Sequence, residues 1–519
     1  MRTKNYLSNI SLSILNNIAL AIVRFVVRTF FIKCLGETLL GVNGLFTNVL
    51  SFLSLAELGI SMTIGFSLYE PLAKNDEKKI SAYMNFYKKI YNIVATVMLV
   101  VGIILTPALK YIINEYEEVK KVVPELNYIY FLFILNTVVT YLMSYKRTLI
   151  TADQKEYKIT RIVLLFNVLL GIAQCVVLVL TKNYIMFLIT QIVLKILENV
   201  ACNSLIDKRY RYLKEYKKEK LNREDKSNLY KNIRAIFIHK ISDTLVYSTD
   251  NIIISKFINV VTVGLYSNYL LISTSIKNFV SSFFWNLTAS FGNLLVTEND
   301  EKKNEIFNVI NFIAFFVFGS CALILYGVFN PLIEVWIGEK YLLGNVVVLL
   351  IAIEFFVYGM SVPISVVKSS AGLYKEDKYI PIFTAMINLG VSIALVKPLG
   401  LSGVLIGTIA CAVLLPIWYK PILVYKHVLH GDLKLYYRHL LEYTLVYILN
   451  MGMVFIVTKI QISEFKFLQL LYCLAISSIV ALGVPTLIYY KSNEFKYLKE
   501  KMVNIKNSIV NKFMKKSNI

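Results

Sequence analysis

The sequence predicts an all-α integral membrane protein of about fourteen transmembrane helices, and three observations carry that prediction. The 519 residues are 57% hydrophobic with a mean hydropathy of +0.61, above the roughly 45–50% apolar usage of soluble domains. Apolar runs able to cross a hydrocarbon core of about 30 Å recur from end to end. Examples are Ile93–Leu105, Ile162–Leu180, Val309–Leu325, Val346–Val357 and Phe467–Tyr490. Finally, the chain repeats itself, so its first twelve helices form two related six-helix lobes with a C-terminal helix pair outside them.

The first helix follows Arg2 and Lys4 and runs to about Ile32 through Arg24 and Arg28. No cleavage site closes a short apolar core, so the stretch reads as a retained span, not a secretion signal. The net charge of +22 would suggest nucleic acid in a soluble chain. Here most Lys and Arg fall in segments on one side, which places them, with both termini, in the cytoplasm. Attraction to anionic lipid accounts for the basic block Asp207–Arg234 and the tail after Lys491 without a nucleic-acid partner. The cysteines Cys34, Cys175, Cys202, Cys321, Cys411 and Cys473 are scattered through apolar segments and read as core residues. His427 and His430 lack neighbouring ligands, so no metal site or other cofactor is expected.

The repeat has an offset near 220 residues. Asn75-Asp76-Glu77-Lys78-Lys79 recurs as Asn299-Asp300-Glu301-Lys302-Lys303, each after the second helix of its half. Pro107, expected to close the third helix, answers Pro331, expected to close the ninth. Lys155-Glu156 answers Lys375-Glu376, and Asn167 with Gly171 answers Asn388 with Gly390. An even number of helices per half makes this a parallel repeat, with a substrate cavity between the halves. The expected divisions are lobes 1–206 and 233–430, a basic linker 207–232, extra helices within 431–490 (about Leu440–Lys459 and Phe467–Tyr490) and a tail 491–519. External connections are short, the largest near Lys110–Val123. That argues against an enzyme with its site on the outer face.

Ionisable residues at mid-bilayer cost roughly 2.5–3.5 kcal/mol each, so they mark an inward-facing or watery surface. Ser13, Asn17, Arg24 and Arg28 share one stripe of the first helix, and Asn43, Thr47, Ser54, Glu57 and Ser61 share one of the second. The seventh helix carries Lys240, Asp243, Tyr247 and Asp250; the eighth carries Ser273, Lys277, Ser281 and Thr288. Lys195 and Glu198 in the sixth helix and Glu354 in the tenth complete the set. Arg24, Arg28, Lys240, Lys277, Asn17 and Asn43 are candidate substrate contacts: at depth basic residues equal or slightly exceed acidic ones, a balance compatible with an anionic headgroup, and the arginine fork binds phosphate oxygens in pairs. Glu57, Asp243 and Asp250 are candidates for ion coupling or charge pairing. The competing account is internal pairing: Arg24 or Arg28 with Glu57, Lys240 with Asp243, and Lys195 with Glu198. These charges are not repeated between the halves, Arg24 aligning near Tyr247 and Asn17 near Lys240.

The runs Arg28–Gly36, Leu40–Phe46, Leu55–Ile60 and Ser67–Ala73 resemble the polysaccharide flippases. These are the O-antigen and capsule repeat-unit transporters of the MOP (MATE-like) superfamily. The resemblance is specific over about residues 10–110 and agrees in layout over the next three hundred. It implies a bacterial cell-membrane protein that moves undecaprenyl-diphosphate-linked oligosaccharide from the inner to the outer leaflet by alternating access. It also implies that Arg24 and Arg28 meet the diphosphate. Membrane lipids and polysaccharide assembly proteins are the expected neighbours. An inside-negative potential would favour outward movement of two negative charges by about 4.6 kcal/mol per 100 mV, with Na⁺ or H⁺ coupling a further option. The alternative is a MATE-type multidrug or cation antiporter, which the basic residues of the cavity disfavour. A polysaccharide polymerase is disfavoured by the lack of paired carboxylates outside the bilayer.

Overall fold

The computed structural model describes residues 2–54, 60–233, 249–373, 376–497 and 499–500, and among these every regular element is helical. Helix α1 spans Arg2–Leu53 but is broken at Gly36, where φ is 81° and ψ is −174°. A side chain at that φ would be strained, so glycine sets the break. One leg then carries Arg24 and Arg28, the other Asn43. There follow α2 (Ile60–Lys74), α3 (Glu77–Leu105), α4 (Leu126–Ser144), α5 (Tyr157–Thr181) and α6 (Tyr184–Arg209). The second half contains α7 (Asp250–Phe257), α8 (Val260–Trp285), α9 (Asp300–Ile337), α10 (Asn345–Ser370), α11 (Ile380–Leu399) and α12 (Leu401–Leu414). The chain continues through Pro416–Val424 and a π-helical turn, Tyr425–Leu429, to α13 (Leu433–Thr458) and α14 (Lys466–Tyr489).

Among the described residues ten helices are long and apolar enough to cross a membrane, against the fourteen expected. Two reasons for the difference are visible. Residues 234–248, where most of the seventh span is expected, lie outside the described residues. Helix α8 has the length, at 26 residues, but Ser, Thr, Asn and Lys dilute its apolar character. Surface periodicity supports the membrane assignment. Ile93, Val97, Val100 and Ile104 of α3 are all exposed, at a spacing that draws one apolar stripe along the helix. Leu165, Leu169, Ile172, Val176 and Val179 do the same on α5. Such stripes are costly in water and at home in lipid.

The repeated pentapeptide starts a helix twice, with a shift of one residue. In the first copy Asp76 caps α3, accepting from the Lys79 amide at 2.9 Å, after Asn75 turns left-handed at φ 54°. In the second, Asn299 caps α9, accepting from the Lys302 amide at 2.9 Å. The prolines differ more. Pro107 lies in the 3₁₀ turn that follows α3, but Pro331 sits inside α9, which runs on to Ile337. Pro331 therefore does not close the ninth helix as expected. A buried spanning helix tolerates the missing bond because neighbours can satisfy the freed carbonyl.

The chain forms two compact units, Met1–Leu271 with Pro381–Gly407, and Ile272–Ile380 with Thr408–Ile519. In the first, α1 packs on α5, α5 on α6, and α4 bridges α3 and α6. The α1–α5 crossing is close: a Cβ on Gly171 would stand 2.4 Å from Val23 Cγ1. The basic segment after α6 is tied to α3, where Asn85 Nδ2 donates to the carbonyls of Tyr216 (3.0 Å) and Glu219 (3.1 Å). In the second unit α9 is the hub, packed on α10, α13 and α14. Aromatic rings lock α13 onto it and its neighbour α10. Tyr443 stacks on Phe315 at 4.4 Å, and Tyr447 stacks on Phe356 at 3.9 Å.

Candidate functional site

The first unit holds a seam where α1 meets α7 and α8 with almost no side chain between them. A Cβ on Gly41 would fall 1.9 Å from the Val260 carbonyl oxygen, and one on Gly264 would lie 2.9 Å from the Glu37 carbonyl oxygen and the Gly41 nitrogen. Glycine at both places is what lets the second leg of α1 touch α8 backbone to backbone. The segment between α3 and α4 clasps the end of α7. There Asn114 donates its amide N–H to the Ser255 carbonyl at 3.1 Å and its Nδ2 to the Ile258 carbonyl at 2.9 Å.

Arg28 sits at this seam. Its Nη1 donates to Ser267 Oγ at 2.8 Å, and Ser267, one turn beyond Gly264, donates in turn to the Gly264 carbonyl at 2.7 Å. Among the described residues the partner of Arg28 is this neutral hydroxyl, and no carboxylate pairs with it. Asn43 joins the same seam from the other leg of α1, its Oδ1 accepting from Tyr184 Oη at 3.0 Å. Tyr184 is fixed edge-on by Phe31 at 5.3 Å, and Phe187 meets Phe31 at 5.4 Å. Two predicted contacts, Arg28 and Asn43, are thus each held by a side chain of another helix, Ser267 of α8 and Tyr184 of α6. Arg24, one turn earlier, is exposed.

Lys277 stands differently, in the second unit. Its Nζ lies 2.7 Å from Glu354 Oε2 and 4.7 Å from the centre of the Tyr358 ring, with little of the pair exposed. This lysine is already compensated by a carboxylate and an aromatic face. Asp250 opens α7 and is buried, and beside it Thr249 Oγ1 lies 3.5 Å from Asn388 Oδ1 of α11. Lys240, Asp243 and Glu57, and the side chain of Asn17, lie outside the described residues, as do the pairings expected of the first three.

Lys195 and Glu198 pair at 3.0 Å, as their i, i+3 spacing suggests. The structure adds Arg147, whose Nη2 reaches Glu198 Oε1 at 2.7 Å and Asn199 Oδ1 at 2.8 Å. Arg147, Tyr184, Ser267 and Tyr358 were missed by sequence reasoning. Arg147 alone left a signal, as a cation beside an apolar span; a tyrosine or serine in a membrane helix announces no partner.

A family model described as polysaccharide biosynthesis protein matches residues 40–346. Among solved structures, the chain is similar to the lipid II flippase MurJ in an inward closed conformation. The TM-score is 0.67 at 15% identity, covering 92% of this chain and 99% of that one. It is also similar to an inward-facing multidrug resistance MATE family transporter of the MOP superfamily, with a TM-score of 0.59 at 13% identity over 80% and 98% of the two chains. A Vibrio cholerae MATE transporter gives 0.58 at 12% identity over 83% and 99%. No curated protein sequence matches the chain. At these identities the solved structures speak for the fold, a multi-pass MurJ- and MATE-like helical membrane protein.

Proposed function

The chain belongs to the polysaccharide biosynthesis protein family, and from that premise we propose that it carries undecaprenyl-diphosphate-linked oligosaccharide from the inner to the outer leaflet for surface polysaccharide assembly. The observation that carries this reading is Arg28: an intramembrane guanidinium held by the Ser267 hydroxyl at 2.8 Å, with no carboxylate among the described residues to neutralise it. An uncompensated charge in a low-dielectric setting favours an anionic guest, and a diphosphate presents the oxygens a guanidinium fork binds in pairs. An organic cation would meet repulsion there, which speaks against drug export.

In this reading the lobes 1–206 and 233–430 rock about the cavity, and the Gly41–Gly264 seam parts on the outward stroke. Arg28 leaves Ser267 to take a phosphate oxygen, exchanging a neutral acceptor for a charged one and strengthening the bond. Asn43 and Arg24 stand on the same helix to extend the contact. Lys277 is a later contact, because it must first release Glu354. The membrane potential, inside negative, drives the anion outward, and buried Asp250 is the described carboxylate kept as a candidate for Na⁺ or H⁺ coupling. The chain makes and breaks no covalent bond.

The test is accumulation of lipid-linked repeat units on the inner face of cells bearing Arg28→Ala, with membrane insertion checked in parallel. Accumulation is expected, with partial recovery in Arg28→Lys. Normal export by the Arg24→Ala/Arg28→Ala double variant would refute the assignment.

A further inference from the structure

The first unit carries a second concave feature away from the seam. The ends of α2, α3, α5 and α6 surround an open cleft of about 560 Å³. Four basic side chains line it, Lys155, Lys158, Lys208 and Arg209, against two acidic ones, Asp153 and Glu77. The acid Asp153 is spent on organising the wall. It accepts from Lys155 Nζ at 2.6 Å and from Tyr210 Oη at 2.6 Å, with Arg209 Nε at 4.0 Å. Burial, then the bond to Asp153, pushes the Tyr210 phenol up, so it stays neutral and donating. Lys158 and Lys208 have no carboxylate partner among the described residues, and the cleft keeps a net charge of about +2. One wall is apolar, formed by Leu72, Ile80 and Leu205.

We infer that this cleft binds a phosphoryl anion, with Lys158 and Lys208 as its ligands and the Asp153 cluster as the rigid wall that holds their neighbours. The charge matches one doubly ionised phosphate or a diphosphate. The apolar wall suits the glycerol and first methylenes of a lipid headgroup. Sequence topology puts the cleft on the cytoplasmic face, where anionic headgroups concentrate. This site does not depend on what the protein transports.

Two probes separate the sources of the phosphate, both on the full chain. In nanodiscs of mixed phosphatidylglycerol and phosphatidylcholine, native mass spectrometry counts retained lipids; in detergent, calorimetry reads sodium pyrophosphate binding. The Lys158→Gln/Lys208→Gln variant should lower binding roughly tenfold. Loss confined to phosphatidylglycerol assigns a lipid headgroup, and loss of pyrophosphate binding assigns a soluble phosphate. Binding unchanged by the double variant, or a parent that binds neither probe, overturns the site. Should the double variant fail to reach the membrane, Glu77→Gln carries the test. Removing that carboxylate should tighten binding roughly threefold, and unchanged or weaker binding would again overturn the site.

Discussion

Helix α8 carries two polar centres of opposite design. At Ser267 it offers a hydroxyl to Arg28, so a cation rests on a neutral acceptor at 2.8 Å. At Lys277, ten residues on, it carries a cation that Glu354 neutralises at 2.7 Å and Tyr358 covers. Both are polar groups in a helix of membrane-spanning length, and both would be costly if left alone. The difference lies in compensation. A compensated pair stabilises one packing of α8 on α10, whereas a guanidinium that meets no carboxylate among the described residues would, on the proposed function, keep its charge for an anionic guest.

Breaking the compensated centre should have the largest effect on the fold. Glu354→Leu strands a mostly buried ammonium and is expected to cost about 3–5 kcal/mol, read as reduced thermal survival of the monodisperse protein. Removing both partners, Lys277→Met with Glu354→Leu, should restore most of that survival. Transport retained by this double variant would take Lys277 out of the substrate contacts.

At the Arg28–Ser267 centre the loss should appear in transport and not in survival. Arg28→Ala forfeits a charge-assisted bond worth about 1.5–3 kcal/mol, or roughly a 10- to 100-fold fall in flux at subsaturating substrate. Comparable destabilisation by Arg28→Ala and Glu354→Leu would erase the distinction between the centres. Close to this, Gly264→Val forces a side chain into the backbone contact with Glu37 and Gly41. About 1–3 kcal/mol of overpacking is expected, measured as thermal survival together with increased labelling of Ser267→Cys from outside. Unchanged labelling would mean the seam is not a moving gate.

The smallest effects test the repeat itself. Asp76→Ala should cost about 1 kcal/mol through loss of the α3 cap. The aligned change in the second copy, Asp300→Ala, should cost less, because Asn299 caps α9. Equal losses would show that the one-residue shift has no energetic meaning.

Much of this was legible along the chain because it depends on neighbours within one helix. Membrane character follows from apolar run length, and the helix starts at the repeated pentapeptides follow from capping chemistry. The Lys195–Glu198 pair follows from i, i+3 spacing. Composition and pattern also marked Arg28 and Asn43 as residues that a lipid-facing surface would not tolerate. Pro331 shows where such reading fails. Proline stops an isolated helix, but α9 continues past it among α10, α13 and α14, where packing outweighs one lost hydrogen bond.

Tertiary structure alone decided which polar groups meet across helices. Arg28 finds Ser267 across 239 residues, Tyr184 finds Asn43 across 141, and Lys277 finds Glu354 across 77. Spacing along a helix says which face a residue takes, and nothing about the face opposite. That is settled by how closely two helices approach, and here the missing side chains of Gly41 and Gly264 set the distance. The sequence determined that the charges must be buried from lipid; only the packing determined that Lys277 meets a carboxylate while Arg28, among the described residues, meets a hydroxyl.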